Sequence, residues 1–360
     1  MKTAMTLVVA ACGLALWAPP AWAKLPPGEL LTRENWTQKA GFAPETVPGD
    51  GGSGFKTLNS FDLEPGVKVD MQRFRPQGRK LESIIVPGKE WTEFSLDGMA
   101  EYSELHYLLS GIFGANQVTQ PTTVDTSAHR WQYILSQAAV DEVQTYGCVK
   151  GDENDAESYS YVLLTELGME LSREGIKIDG AAIGHEAEFN ASAPPHPVTG
   201  ITEVPLLPKE VNVHLTDTYA DIVADKLTRA LMVKQTIGDR HNPVWVLDRD
   251  EASFVNHVEL APKFEIEVTL EANDQGKTVI DSMRSGGTLY LRLDALSPEL
   301  AGAATQYHQF TQDAAVKVAD VDKFEDSDGV YAIKYTFAAV YDPVEKLSVE
   351  STLYNKQATF

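Results

Sequence analysis

Histidine is the side chain best placed for acid–base work near neutral pH, and it is a common metal ligand. This chain carries eight, at positions 106, 129, 185, 196, 214, 241, 257 and 308. No pair stands at i, i+4 or at another metal-ligand spacing. Cys148 follows Tyr146-Gly147 and has only Lys150 nearby as a cation, the setting of a buried, inert thiol. With Cys12 in a very different context, the two cysteines do not suggest a disulfide framework. The run Asp320-Val321-Asp322-Lys323-Phe324-Glu325-Asp326-Ser327-Asp328-Gly329 resembles part of a calcium loop but lacks a closing bidentate glutamate at the right distance. Asp328-Gly329 before the alternating Val330–Tyr335 reads better as a hairpin turn, as does the acidic Gly151–Asp155. There is no phosphate-binding glycine loop, no Gly-x-Ser-x-Gly elbow and no His-Glu-x-x-His. The expectation is no catalytic residue, no metal and no cofactor. An acidic-pair hydrolase is the weakest of the readings.

The elements that would position any site are mostly strands. In Trp91–Leu96, Phe94 and Leu96 alternate with Glu93 and Ser95, as a pleated strand requires. From Met99 the period changes to three and four, with Tyr102, Leu105, Leu108 and Leu109 on one stripe. The pattern predicts a strand, an Asp97-Gly98 turn and a helix over Met99–Leu109 that ends at Gly111. Leu105, Leu108 and Leu109 would pack it onto the sheet. Further strands are expected at 130–135, 159–164, 176–189, 211–215, 244–247, 264–270, 288–293, 331–341 and 347–353. An echo of the first unit falls at Phe264–Ser285, with a second helix at Gly276–Met283. Adding about 174 maps Glu93 to Glu267, Phe94 to Val268, Gln132-Tyr133 to Gln306-Tyr307 and Tyr161 to Tyr335. The fold class expected is mainly β: two tandem β-sandwich or barrel domains, each with a short flanking helix.

Length fits two domains. The expected boundaries are a leader-like segment 1–23, an arm 24–60, a first β domain 61–190, a proline-rich linker 191–210 and a second β domain 211–356. Residues 1–23 have a basic start, an apolar run and an Ala21-Trp22-Ala23 cleavage pattern, so they read as a signal peptide or as a start assigned too far upstream. That run is too short and wrongly flanked for a spanning helix, and there is no other membrane segment. The formal net charge of −22 and a pI near 4.7 disfavour nucleic-acid binding. Against that background Arg73-Phe74-Arg75-Pro76-Gln77-Gly78-Arg79-Lys80 stands out. Arg73, Arg75, Arg79 and Lys80 form either a solvated turn or a socket for acidic surface on another copy. The polar loop 115–126 is a second contact candidate.

Taken in order, Glu90–Gly98 with Tyr102–Leu109, Pro205–Pro208 with Val211–Leu215, and Asp328–Tyr331 through Tyr341-Asp342-Pro343 to Tyr354-Asn355 resemble phage tail tube proteins, the major tail proteins of long noncontractile-tailed phages. The resemblance covers most of residues 55–356. It implies rings, trimeric or hexameric, stacked into a tube through which genomic DNA passes without specific binding. It further implies tape-measure and tail-terminator partners, no membrane, and a virion tail assembled in the host cytoplasm. Some such proteins carry two domains per chain in a pseudo-sixfold trimer. The alternative from residues 1–23 is a secreted or periplasmic two-domain β-sandwich binding protein.

Overall fold

Alternation that begins at Phe61, where Phe61 and Leu63 point inward and Asp62 and Glu64 outward, recurs along most of the chain and sets its architecture. The computed structural model describes residues 39–359 apart from 115–117, 120–124, 138–139, 152–155, 191–198, 249–250 and 328. The first half contains β1 (Lys39–Pro44), β2 (Lys56–Thr57), β3 (Phe61–Phe74), β4 (Ile84–Met99), α1 (Leu105–Phe113), β5 (Val118–Thr119), β6 (His129–Ile134), β7 (Tyr146–Gly151), β8 (Ala156–Ser172), β9 (Ile176–Gly184), β10 (Glu188–Asn190) and β11 (Thr199–Gly200). The second contains β12 (Val211–Thr216), β13 (Ala230–Gly238), β14 (His241–Val244), β15 (Asn256–Glu259), β16 (Lys263–Glu271), α2 (Asp274–Ser285), β17 (Leu289–Leu300), β18 (Tyr307–Ser327), β19 (Val330–Ala339) and β20 (Val349–Asn355). The class is mainly β, as the alternation predicted.

The main ladders of the two halves follow the same order, while β1–β2, β2–β11 and β5–β6 in the first half have no counterpart among the described strands of the second. In the first, antiparallel pairs run β1–β7–β8–β9–β4–β3, with β10 also on β8. In the second they run β12–β17–β18–β19–β16–β13, with β20 also on β18. Each helix follows the corresponding strand, α1 after β4 and α2 after β16. Two seams join the halves, β8 to β13 and β20 to β6, and most of the buried apolar residues of both form a single cluster. Residues 38–360 make one compact unit.

Three local expectations change. The chain does not turn at Asp97-Gly98: β4 continues to Met99 because β3 pairs with it to Gly98 and β9 to Met99. Gly98 serves close approach instead, since a Cβ there would lie 2.4 Å from Phe61. Helix α1 therefore starts six residues later than Met99. It also runs past Gly111, whose missing Cβ makes room for Leu164 (2.7 Å), and its C-cap is Gly114 at φ 113°. Rather than showing one apolar stripe, α1 is buried on every side, as its uncharged sequence Leu-His-Tyr-Leu-Leu-Ser-Gly-Ile-Phe permits. The constant offset of 174 does not survive. Gln132-Tyr133 lie in β6 while Tyr307 begins β18, and Tyr161 lies in β8 while Tyr335 lies in β19. Loops of unequal length separate otherwise corresponding strands.

Several expected features fall outside the described residues: segment 1–23, the arm up to residue 38, most of the polar loop 115–126, residues 191–198 of the linker and Asp328. The turn after β18 is visible as Gly329 at φ 79°.

Candidate functional site

The residues best suited to chemistry are put to structural use. His106 lies fully buried on α1, its Nδ1 2.6 Å from the Ser103 carbonyl, and burial pushes its pKa down to about 3. His241 and His308 are likewise buried, and burial holds each at about 4. Burial raises the Cys148 thiol well above its ordinary range, so it is a poor nucleophile. Among the described residues, no group of three or more His, Cys, Asp or Glu is placed to hold a metal ion. Tyr161 has a positive φ (52°) where β8 passes from its pairing with β7 to its pairing with β9. Its N–H donates to Glu45 Oε1 at 2.8 Å, its hydroxyl lies 3.0 Å from His257 Nδ1, and its ring stacks on His185. This cluster fixes a bend in a long strand.

The sequence-predicted contact residues take up contrasting positions. Leu105, Leu108 and Leu109 are 1%, 0% and 3% exposed and form part of the main core. Arg73 is the penultimate residue of β3, and Arg75, Arg79 and Lys80 lie in the loop of the β3–β4 hairpin. Arg73 meets Glu82 at 3.4 Å and Arg75 Nε donates to the Arg79 carbonyl at 2.8 Å. All four are exposed, and so are Phe74, Leu81, Ile84 and Ile85 on the same hairpin. The hairpin thus presents basic and apolar side chains together on the surface of an acidic chain.

The largest organised feature is the outer face of the continuous ladder β3–β4–β9–β8–β13–β16–β19–β18. Its inner face supplies Leu63, Phe94, Ile178, Met169, Val233, Ile266 and Phe337 to the core. The alternate positions face outward. They present Asp62 and Glu64 on β3, Glu93 and Asp97 on β4, Asp179 on β9, Glu166 and Glu170 on β8, Glu265 and Glu267 on β16, and Asp320 and Asp322 on β18. Lys68, Lys177, Lys234 and Lys334 interrupt this row of carboxylates. Two of these lysines are engaged locally, Lys68 with Glu93 at 3.4 Å and Lys334 with Glu267 at 2.9 Å. A groove of about 670 Å³ on this face is bordered by Glu64, Lys68, Glu93, Ser95, Glu166 and Asp239. Such a face repels a polyanion over roughly a Debye length, about 8 Å at physiological salt.

The acidic face is spread over eight strands of both halves, so no short motif marks it in the sequence. Its trace is alternation in which the polar partner is acidic, as in Asp62/Glu64 and Glu265/Glu267. No protein-family model and no curated protein matches this chain.

Proposed function

We propose that this chain is a structural, self-assembling building block that closes into rings and stacks into a phage tail tube, with no catalytic role. The observation that carries the reading is the acidic ladder face, a surface suited to line a conduit through which DNA slides without adhering. Two further features support it. The main ladders of the two halves follow the same order, as those of tandem tube domains would. Among the described residues the ladder also ends at β3 and at the far part of β18, each with no strand on its other edge, which suits head-to-tail closure.

Negative-stain microscopy of concentrated protein beginning at Lys24 tests the reading. Rings or tubes are expected. A protein that stays monomeric at high concentration, even with other tail components present, would overturn it. Recovery of mature chain from the periplasm with Lys24 at its amino terminus would favour the secreted binding protein instead.

A further inference from the structure

The internal β8–β13 seam is a template for a contact that one copy leaves unmade. In the second half β13 has neighbours on both sides, β16 and β8. Its counterpart β3 pairs with β4 alone among the described strands. In the first half β8 receives β13 along Leu167–Ser172. Its counterpart β18 carries β19 along its far part, and no described strand pairs with the other edge there.

We infer that β3 of one copy pairs antiparallel with the far part of β18 in the next copy, in the register of the internal seam, with Val67 opposite Val321 and Lys68 opposite Asp320. The inference deepens the self-assembly reading above and depends on it for its partner, a second copy of this chain. The register follows from the ladders. Leu164 in β8 and Val318 in β18 each stand just before a bulge. Leu164 faces Ala182, which faces Phe94, which faces Pro65. Val318 faces Phe337, which faces Ile266, which faces Gln235. Pro65 thus stands where Gln235 stands. Val67 therefore stands where Ile237 stands, and Ile237 meets Leu167, three residues beyond Leu164. The residue three beyond Val318, before the second bulge of β18 at Asp322/Glu325, is Val321, so Val67 falls opposite Val321 and the antiparallel ladder sets Lys68 against Asp320.

The surroundings of these residues agree with that register. The internal pair equivalent to Val67 and Val321 is Ile237 and Leu167, which are 2% and 6% exposed. Val67 sits on the core side of the sheet yet is 41% exposed, an apolar side chain that a neighbouring strand would cover. Both edges are capped in the same way within one copy. Val321 donates its N–H to the Asp320 carboxylate, and Leu63 donates its N–H to the Asp62 carboxylate, each at 2.8 Å. Lys150 Nζ also covers the Leu63 carbonyl at 2.7 Å. Pro65 removes one donor from the open edge, which discourages pairing in unrelated registers. On assembly Lys68 meets the Asp320 carboxylate on the outer face.

Cysteine cross-linking of the full chain tests the register. Directly opposite residues in such a ladder have Cα atoms about 4.5–5.5 Å apart, within disulfide range. Oxidised V67C/V321C is expected to give a covalent ladder of multimers on a non-reducing gel, in contrast to wild type and each single variant. The two-residue shift V67C/A319C should give a ladder at least about fivefold weaker. Independently, K68E should weaken association about tenfold, and K68E/D320K should restore it. Assembled rings with no V67C/V321C ladder, or with a stronger V67C/A319C ladder, would overturn the register while leaving the tube reading in place. A ladder in the expected register without rings or tubes would support the pairing and overturn the tube. Absence of both removes both. Should a cysteine variant misfold, failure of D320K to rescue K68E would count against the pairing.

Discussion

At the scale of single residues, Arg240 carries the largest electrostatic load in the interior. It is fully buried, with Nη2 2.5 Å from Asp141, Nη1 bonded to Glu259, and Nε donating to the Ile112 carbonyl at 2.9 Å. Burial holds Asp141 above its ordinary pKa even beside this guanidinium. Replacing Arg240 with Met would leave two poorly solvated carboxylates facing each other and should cost about 3–5 kcal/mol in urea unfolding. R240M/D141N/E259Q should recover much of that loss. Buried titratable groups give the second prediction. His106, His241 and His308 fall from an ordinary 6.5 to about 3, 4 and 4, so their contribution is complete above pH 6.5 and is lost as pH falls. Glu101 runs the other way. Burial raises it to about 7, so its contribution is complete below 4.5 and is lost as pH rises through 7. His214 and His257 shift in the histidines' direction, Glu104 and Asp141 in that of Glu101; the histidines outnumber the carboxyls, and stability should fall between pH 7 and 4.5, read from urea midpoints. A midpoint that rises on acidification would contradict this.

At the scale of elements, α1 belongs to the core and the tip of the β3–β4 hairpin to the exposed surface. Truncating Leu108 to Ala inside a fully enclosed helix should cost about 2–5 kcal/mol. Changing Arg73, Arg75, Arg79 and Lys80 together to Ser should leave the unfolding transition in place and reduce assembly, measured by sedimentation. Unchanged assembly would return this loop to the status of a solvated turn. The helix core was legible in the sequence because Leu105, Leu108 and Leu109 keep helical spacing whatever surrounds them. The end of β4 was not. Asp97-Gly98 has the local chemistry of a turn, yet neighbours on both sides of the strand hold it extended, and those neighbours are distant in sequence. The repeat was legible at β4 and β16, where strands of similar composition precede the two helices. Beyond them, unequal loops moved the matching strands out of any fixed offset. The acidic face was hidden for a related reason, since strand order and not sequence order brings its residues together.

At the scale of the whole molecule, charge on the ladder face and closure of its edges are separable. Reversing Glu166, Glu170 and Glu265 to Lys, on β8 and β16, lies away from the two open edges and should leave ring formation intact. It should also convert the assembled particles into DNA binders, with mobility shifts that weaken steeply as salt rises. Particles that still ignore DNA would show that the face does not line the conduit. The internal β8–β13 seam has a kinetic consequence as well. One polypeptide joins two ladder units, so one junction per chain forms in cis, at the high effective concentration of a tethered pair, and in the proposed ring one more per chain would form in trans. A ring of a given circumference would therefore contain half as many junctions between chains as one built from single units. Its assembly should show a correspondingly shallower dependence on protein concentration. Severing the chain within residues 191–198 while keeping both halves present should steepen that dependence.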